Sequence, residues 1–191
     1  MGALDDGEKV VATDAATWRA WLEQHHTTSK GAWLVRPRPG SPLELIGYED
    51  AIRQALCFGW IDGPVRSFDE QTGGLWFAPR RPSSAWAATN KARLEILERE
   101  GLMTPAGIRA VELAKKNGSW TILDNAEALR EPDDLAAALD ADPTARAAWD
   151  AFPPSSRKFG IAAIDSARRP DTRAARVEKY VTDAAAGKRP A

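Results

Sequence analysis

Residues able to do chemistry concentrate in two short segments, residues 55–63 and residues 75–86. The first segment places Asp62 between aromatic and glycine residues, where a strand is expected to end in a turn. Partial burial at such an edge would perturb the pKa of the carboxyl group, as a general acid or base requires. The alternative is that Asp62 only accepts turn hydrogen bonds from neighbouring backbone amides. Asp62 is therefore the candidate catalytic residue, with a structural role left open.

The second segment carries two consecutive arginines, Arg80 and Arg81, between prolines that stiffen the backbone. A guanidinium group can bind a carboxylate or a phosphate through two N–H groups. Ser83 and Ser84 are expected to open a helix, whose free amides would attract the same anions. Because consecutive side chains of an extended segment point to opposite faces, only one arginine should enter a given pocket. The alternative is an arginine pair with a purely structural role.

The chain has eight tryptophans, although most residues of this type in a folded protein belong to the core. Large amphipathic rings also suit a place where an apolar surface meets a polar ligand. We predict that the two segments meet in a tryptophan-lined cleft with arginine and aspartate anchors. The predicted ligand-binding residues are Trp33, Tyr48, Trp60, Asp62, Trp76, Arg80, Arg81 and Trp86.

Other reactive residues have structural explanations. Cys57 lies in an apolar stripe without a base beside it, so we expect it to pack rather than to act as a nucleophile. His25 and His26 lack accompanying ligands at metal-binding spacing and are expected at the C-terminal end of a helix. The sequence contains no P-loop, dinucleotide fingerprint or Gly-x-Ser-x-Gly elbow. We therefore expect no metal and no cofactor.

The elements that must position these residues form an α+β fold. Apolar periodicity predicts helices over residues 15–24 and 48–58, after a frayed or extended lead-in of residues 1–12. Strands are predicted around residues 32–36, 60–68 and 75–79, and the last two form an antiparallel hairpin. These elements predict a small antiparallel three-stranded sheet packed with helices.

The rest of the chain is expected to be helical. Caps and proline start signals predict helices over residues 85–100, 105–117, 132–140, 143–152, 155–167 and 171–186. The connection over residues 123–132 is the most plausible internal boundary. We therefore predict an α+β domain over residues 1–125, which carries the site, and an all-α C-terminal half over residues 126–191.

Composition limits the partners and the compartment. The 26 basic and 27 acidic residues give a net charge of -1, so no global field favours nucleic acid or an anionic membrane. No apolar run approaches the roughly 20 residues that span a bilayer. The single cysteine needs no oxidising compartment, and residues 1–6 lack the features of a signal peptide. We expect a cytoplasmic protein that does not span a membrane, and we do not expect nucleic acid as a partner.

Longer motifs surround the two segments. They are Glu23-x-x-His26-x-x-Ser29-x-Gly31-x-Trp33-Leu34, residues 55–63, Phe77-x-Pro79-Arg80-Arg81-Pro82-x-Ser84-x-Trp86, residues 103–107 and Arg168-x-Pro170-x-Thr172-Arg173-x-x-Arg176. With these motifs the sequence resembles the bacterial YdeI/OmpD-associated family, also labelled bacteriocin-protection proteins, over nearly the whole chain. The resemblance implies a link to envelope stress and antimicrobial resistance. It supplies no catalytic residues.

These observations lead to three functional hypotheses. The first is a cytoplasmic protein that binds an anionic or aromatic small molecule or peptide, in a stress response or in bacteriocin protection. The second is an enzyme in which Asp62 acts as general acid or base, assisted by Tyr48 or His26. The third is a helical protein-interaction module, which predicts an exposed apolar patch on the helices of residues 143–186.

Overall fold

The computed structural model describes residue 4 and residues 7–190. Contacts between residues divide the chain into two compact units. The first unit contains the described residues up to Ser84 together with Thr89–Asn117. The second unit contains Ala85–Ala88 and the described residues from Gly118 onward. The domain boundary expected between residues 125 and 126 stays a prediction.

The first unit is built on a mixed four-stranded sheet in the order β1-β2-β4-β3. Its strands are β1 (Glu8–Val10), β2 (Ala32–Pro37), β3 (Trp60–Ser67) and β4 (Thr72–Pro79). Strand β1 is parallel to β2, whereas the β2–β4 and β3–β4 pairs are antiparallel. The α+β class and the β3–β4 hairpin are therefore confirmed.

The sheet prediction was wrong in one strand. Residues 8–10 were expected to belong to a lead-in, the first part of which lies outside the described residues, but they pair with Ala32–Leu34. Glu8 and Lys9 are exposed and charged, so this three-residue strand has no apolar alternation. Only backbone hydrogen bonding to a distant partner makes it a strand, and sequence periodicity does not report such pairing.

Helices α1 (Ala15–His25) and α2 (Tyr48–Cys57) cover one face of the sheet. The Asp14 side chain caps α1 by accepting a hydrogen bond from the Thr17 amide at 2.8 Å. Trp18 on α1 is fully buried, donates its indole N–H to the Ala51 carbonyl on α2, and packs 5.3 Å from the Phe77 ring on β4. One buried indole thus joins two helices to the sheet.

Two further helices follow, α3 (Ala88–Arg99) and α4 (Pro105–Asn117). The predicted start of α3 at residue 85 was wrong, and so was the opening role of Ser83 and Ser84. The Ser84 amide donates to the Arg81 carbonyl in a turn, and the Ala88 amide at the true helix start donates to the Glu127 carboxylate. The free amide at the start of α3, which was expected to attract an anionic ligand, therefore already binds the carboxylate of Glu127.

Among the residues of the second unit that the structure describes, only helices occur as regular elements. They are α5 (Asp124–Glu127), α6 (Asp133–Asp140), α7 (Pro143–Ala151), α8 (Pro154–Asp165) and α9 (Pro170–Ala185). Four of them match predicted helices, and the single turn of α5 was not expected. Their core includes Leu135, Leu139, Trp149 and Ile164. The Trp149 indole donates to Glu131 at 2.8 Å, which satisfies the polar atom of a fully buried ring.

Within the described part of the chain, no helix combines the length and the apolar character that crossing a membrane requires.

Candidate functional site

Strand pairing brings the two chemistry-bearing segments together. In the antiparallel β3–β4 pair, Asp62 lies opposite Phe77, and Trp60 lies opposite Pro79. Just beyond β4, the Arg80 amide donates to the Gly59 carbonyl at 3.0 Å, which extends the pairing by one bond. The register shifts after Asp62, and such a bulge re-aims the side chains beside it. The sheet therefore holds the carboxylate and the arginines at the same end of one hairpin.

A cavity of about 580 Å³ opens at this end of the hairpin. Asp62, Trp76 and Arg81 line it, together with Leu4, Lys30, Ile61, Gly63, Pro64, Ala78, Pro79 and Ser84. Its volume lies within the range of small-molecule sites, about 300–1,000 Å³. Two cationic side chains against one carboxylate give the lining an excess of one positive charge. The cavity is therefore suited to an anionic ligand.

The tryptophans expected as cavity walls belong to the buried core. Trp76 lines the cavity and makes an edge contact with Trp33 at 5.3 Å. Trp33 is 4% exposed and donates its indole N–H to the Leu4 carbonyl, and Trp60 is 1% exposed beside Trp21. Trp86 belongs to the second unit, where it packs against Trp120. All four tryptophans expected as walls are buried, and of these four Trp76, which is 7% exposed, is the one that also lines this cavity.

Asp62 also belongs to a polar cluster with Tyr48 from the start of α2. The Tyr48 hydroxyl donates to Asp62 Oδ2 at 3.2 Å, and the Arg36 guanidinium lies 5.3 Å from the centre of the tyrosine ring. Burial raises the pKa of Tyr48, and the negative charge of Asp62 raises it further. Tyr48 therefore remains a hydrogen-bond donor to Asp62 at neutral pH.

Two more arginines act on this cluster. Burial lowers the pKa of Arg80 to about 10, and the charge of Asp62 offsets part of that effect. Arg93 on α3 binds both carboxylate oxygens of Glu49 at 2.9 and 2.7 Å, and this hydrogen bonding raises the pKa of Arg93 and lowers that of Glu49. Both guanidinium groups stay charged at neutral pH and add positive potential around Asp62.

Sequence reasoning missed Lys30, Arg36 and Arg93. Lys30 precedes β2 and Arg36 lies near its end, so a cation at each end of a buried apolar strand was a usable signal. Arg93 gave no such signal, because its partner Glu49 is 44 positions away in the sequence. Of the two consecutive arginines, Arg81 lines the cavity, whereas Arg80 is half-buried and is not among the lining residues.

The histidines and the cysteine have structural surroundings. His26 is the C-cap of α1, as predicted, with its Nδ1 atom 2.9 Å from the Leu22 carbonyl oxygen and its ring against Phe58. Cys57 is buried, and burial raises the pKa of its thiol, which disfavours the nucleophilic thiolate. The described residues hold no group of three or more His, Cys, Asp or Glu side chains arranged for a metal ion.

Two protein-family models together match most of the chain. Residues 10–110, just over half of the 191 residues, match the model described as Domain of unknown function (DUF8412). The chain belongs to the DUF8412 family. The DUF8412 match contains the hairpin and most of the cavity lining, whereas residues 128–187 match a second model, described as Bacteriocin-protection, YdeI or OmpD-Associated.

The second match confirms the suspected family over the helical end of the chain and associates it with bacteriocin protection. It includes the motif at residues 168–176, whereas the motifs at residues 23–86 and 103–107 lie within the DUF8412 match. The resemblance expected over nearly the whole chain is therefore confirmed over residues 128–187 alone. Comparison with curated proteins and with solved structures finds no match.

Proposed function

We propose that this protein binds a small anionic ligand, or the anionic end of a peptide, in the cavity beside the β3–β4 hairpin. The observation that carries the proposal is the meeting of Asp62, Trp76 and Arg81 at one cavity of about 580 Å³. The match of residues 128–187 to a bacteriocin-protection model supports a role for this binding in a stress or antimicrobial-protection response. The balanced charge and the single cysteine fit a cytoplasmic site of action.

Different residues of the cavity lining can contact different parts of such a ligand. Arg81 is exposed and can bind a carboxylate or phosphate through two N–H groups, and Lys30 adds a second cation. Trp76 and Ile61 offer apolar contact for the body of the ligand. Asp62 can accept a hydrogen bond from a ligand N–H or O–H group and so fix its orientation. Aromatic carboxylates and aryl phosphates combine these features.

A binding screen tests this proposal. Thermal-shift screening against aromatic carboxylates and aryl phosphates should give hits, and titration calorimetry should confirm them. Arg81→Met should weaken the best hit about tenfold or more, because the charged hydrogen bonds are lost. Arg109→Met removes an equally exposed arginine on α4 and should leave affinity unchanged. The proposal fails if no hit appears, or if Arg81→Met and Lys30→Met both bind the best hit like the unmodified protein.

Acid–base catalysis in the same cavity is the second candidate, favoured by the 3.2 Å hydrogen bond between Tyr48 and Asp62. A carboxylate with a neighbouring hydroxyl can take and return a proton at a bound substrate. Incubation of each hit with the protein, followed by mass spectrometry, decides between the two functions. A product that disappears with Asp62→Asn indicates an enzyme, and an unchanged ligand indicates a binding protein.

A further inference from the structure

A second cavity, of about 630 Å³, lies within the helical unit between α6 and α9. We call it the α6–α9 groove. Helix α6 contributes Asp134 and Ala138, and α9 contributes Pro170, Arg173, Ala174, Val177, Glu178, Val181 and Thr182. The groove lies among the residues that match the bacteriocin-protection model, and the cavity of the proposed function lies in the other unit.

The floor of the groove is an apolar stripe of small side chains. Ala174, Val177 and Val181 follow one another at helical spacing along α9, and Ala138 faces them from α6. Val177 is part of the core, whereas Ala174 is exposed and Val181 is half-buried. Residues 170–182 extend for about 18 Å, or roughly three helical turns. Small side chains along such a length allow the backbone of another helix to approach closely.

The residues that line the groove carry more negative than positive charge. Arg173 is occupied, because it binds both oxygens of Asp134 at 2.6 and 2.9 Å and lies 3.2 Å from Asp165. Glu178 is exposed and forms no ion pair within the part of the chain that the structure describes. The lining thus carries two carboxylates against one guanidinium. An uncompensated negative charge remains at the edge of an apolar floor.

We infer that the α6–α9 groove binds an amphipathic helix that has small apolar anchors and a cationic flank. The apolar floor accepts anchors spaced i, i+3, i+4 and i+7, which is the usual pattern of a helix in a groove. The free carboxylate of Glu178 selects lysine or arginine beside those anchors.

Labelled peptides of about 14 residues, or four helical turns, test the inference. The first carries alanine and leucine anchors at helical spacing with lysines on the flanks, the second replaces each lysine with glutamate, and the third scrambles the lysine peptide. Fluorescence anisotropy with the full chain should show saturable binding of the lysine peptide, at least tenfold tighter than that of the other two. Equal binding of the lysine and glutamate peptides, or no binding of either, would overturn the inference.

Matched variants locate the binding surface. Ala174→Gln puts a longer polar side chain on the floor of the groove and should weaken the lysine peptide about tenfold. Ala175→Gln makes the same change at the adjacent exposed alanine, which does not line the groove, and should have no effect. Glu178→Lys should weaken the lysine peptide and strengthen the glutamate peptide.

Two results would refute this location. Equal effects of Ala174→Gln and Ala175→Gln would place any binding elsewhere. Light scattering that shows a dimer in the unmodified chain and a monomer in Ala174→Gln would make the groove a contact between copies of this chain.

Discussion

At the scale of single residues, the contact with Asp62 shifts the pKa of Tyr48. The hydroxyl donates to the carboxylate at 3.2 Å, and the Arg36 guanidinium lies against the tyrosine ring. Burial and then the charge of Asp62 raise the pKa of Tyr48. Tyr48 therefore keeps its hydroxyl proton and remains a hydrogen-bond donor to Asp62 at neutral pH.

We predict that Asp62→Asn lowers the pKa of Tyr48. The neutral amide removes the charge of Asp62, whereas burial still raises the pKa of Tyr48 and the charges of Arg93 and Arg36 still lower it. NMR titration of ring-labelled tyrosine measures this shift and separates Tyr48 from Tyr180. Asp50→Asn, an exposed change on the same helix, should leave the pKa of Tyr48 where it is. An unchanged pKa in Asp62→Asn would show that the two side chains do not interact in solution.

At the scale of elements, the contact between the end of α2 and the start of α4 holds the backbone in place just before β3 begins. The Cys57 carbonyl accepts hydrogen bonds from the Thr104 amide at 3.1 Å and the Thr104 hydroxyl at 2.7 Å. A Cβ atom on Gly107 would lie 2.3 Å from the Cys57 carbonyl oxygen. Gly107 therefore permits a close helix approach, which aligns the residues leading into Asp62.

We predict that Gly107→Ala destabilises the first unit by about 3 kcal/mol, since a backbone atom cannot move aside as a flexible side chain can. Gly101→Ala serves for comparison, because Gly101 has a φ of 68° but no atom within 4 Å of the added methyl group. That change should cost about 1–2 kcal/mol through backbone conformation alone. Urea unfolding followed by tryptophan fluorescence measures both, and equal losses would contradict the steric explanation.

At the scale of the whole molecule, hydrogen-bonded carboxylates link stability to pH. The pKa values of Asp14, Glu49, Asp69 and Asp134 are all lowered, by hydrogen bonds from backbone amides, from Thr72 or from arginines. A carboxyl group with a lower pKa in the folded state stabilises that state above its unfolded pKa of about 4. This stabilisation is lost as the pH falls through the folded-state pKa.

We predict that the free energy of unfolding falls as the pH is lowered from about 7 to about 3. Asp134→Asn should be less stable than the unmodified chain at neutral pH, because Arg173 loses one of its two anionic partners and keeps Asp165 alone. The difference should shrink at acid pH, where Asp134 is protonated in both states of the unmodified chain. Urea titrations at several pH values measure the stability difference between Asp134→Asn and the unmodified chain. A difference that does not vary with pH would contradict the lowered pKa of Asp134.

The sequence by itself determined the elements that depend on local chemistry. The cap at Asp14 and the prolines at the starts of α7 and α9 are read from neighbouring residues, and the predicted helices agree with the structure within a few residues. The hairpin is also local, because a short turn joins its strands. The family resemblance over residues 128–187 depends on residue identity alone.

Only the tertiary structure decided which side chains share a site. The pairing of β1, the Glu49–Arg93 ion pair and the burial of Trp60 all depend on residues far apart in the sequence. Local pattern shows that a ring is apolar, but it does not show whether that ring faces a cavity or a neighbouring ring. The physical reason is that helix starts and short turns arise from interactions over a few residues, whereas burial and side-chain pairing arise from long-range packing.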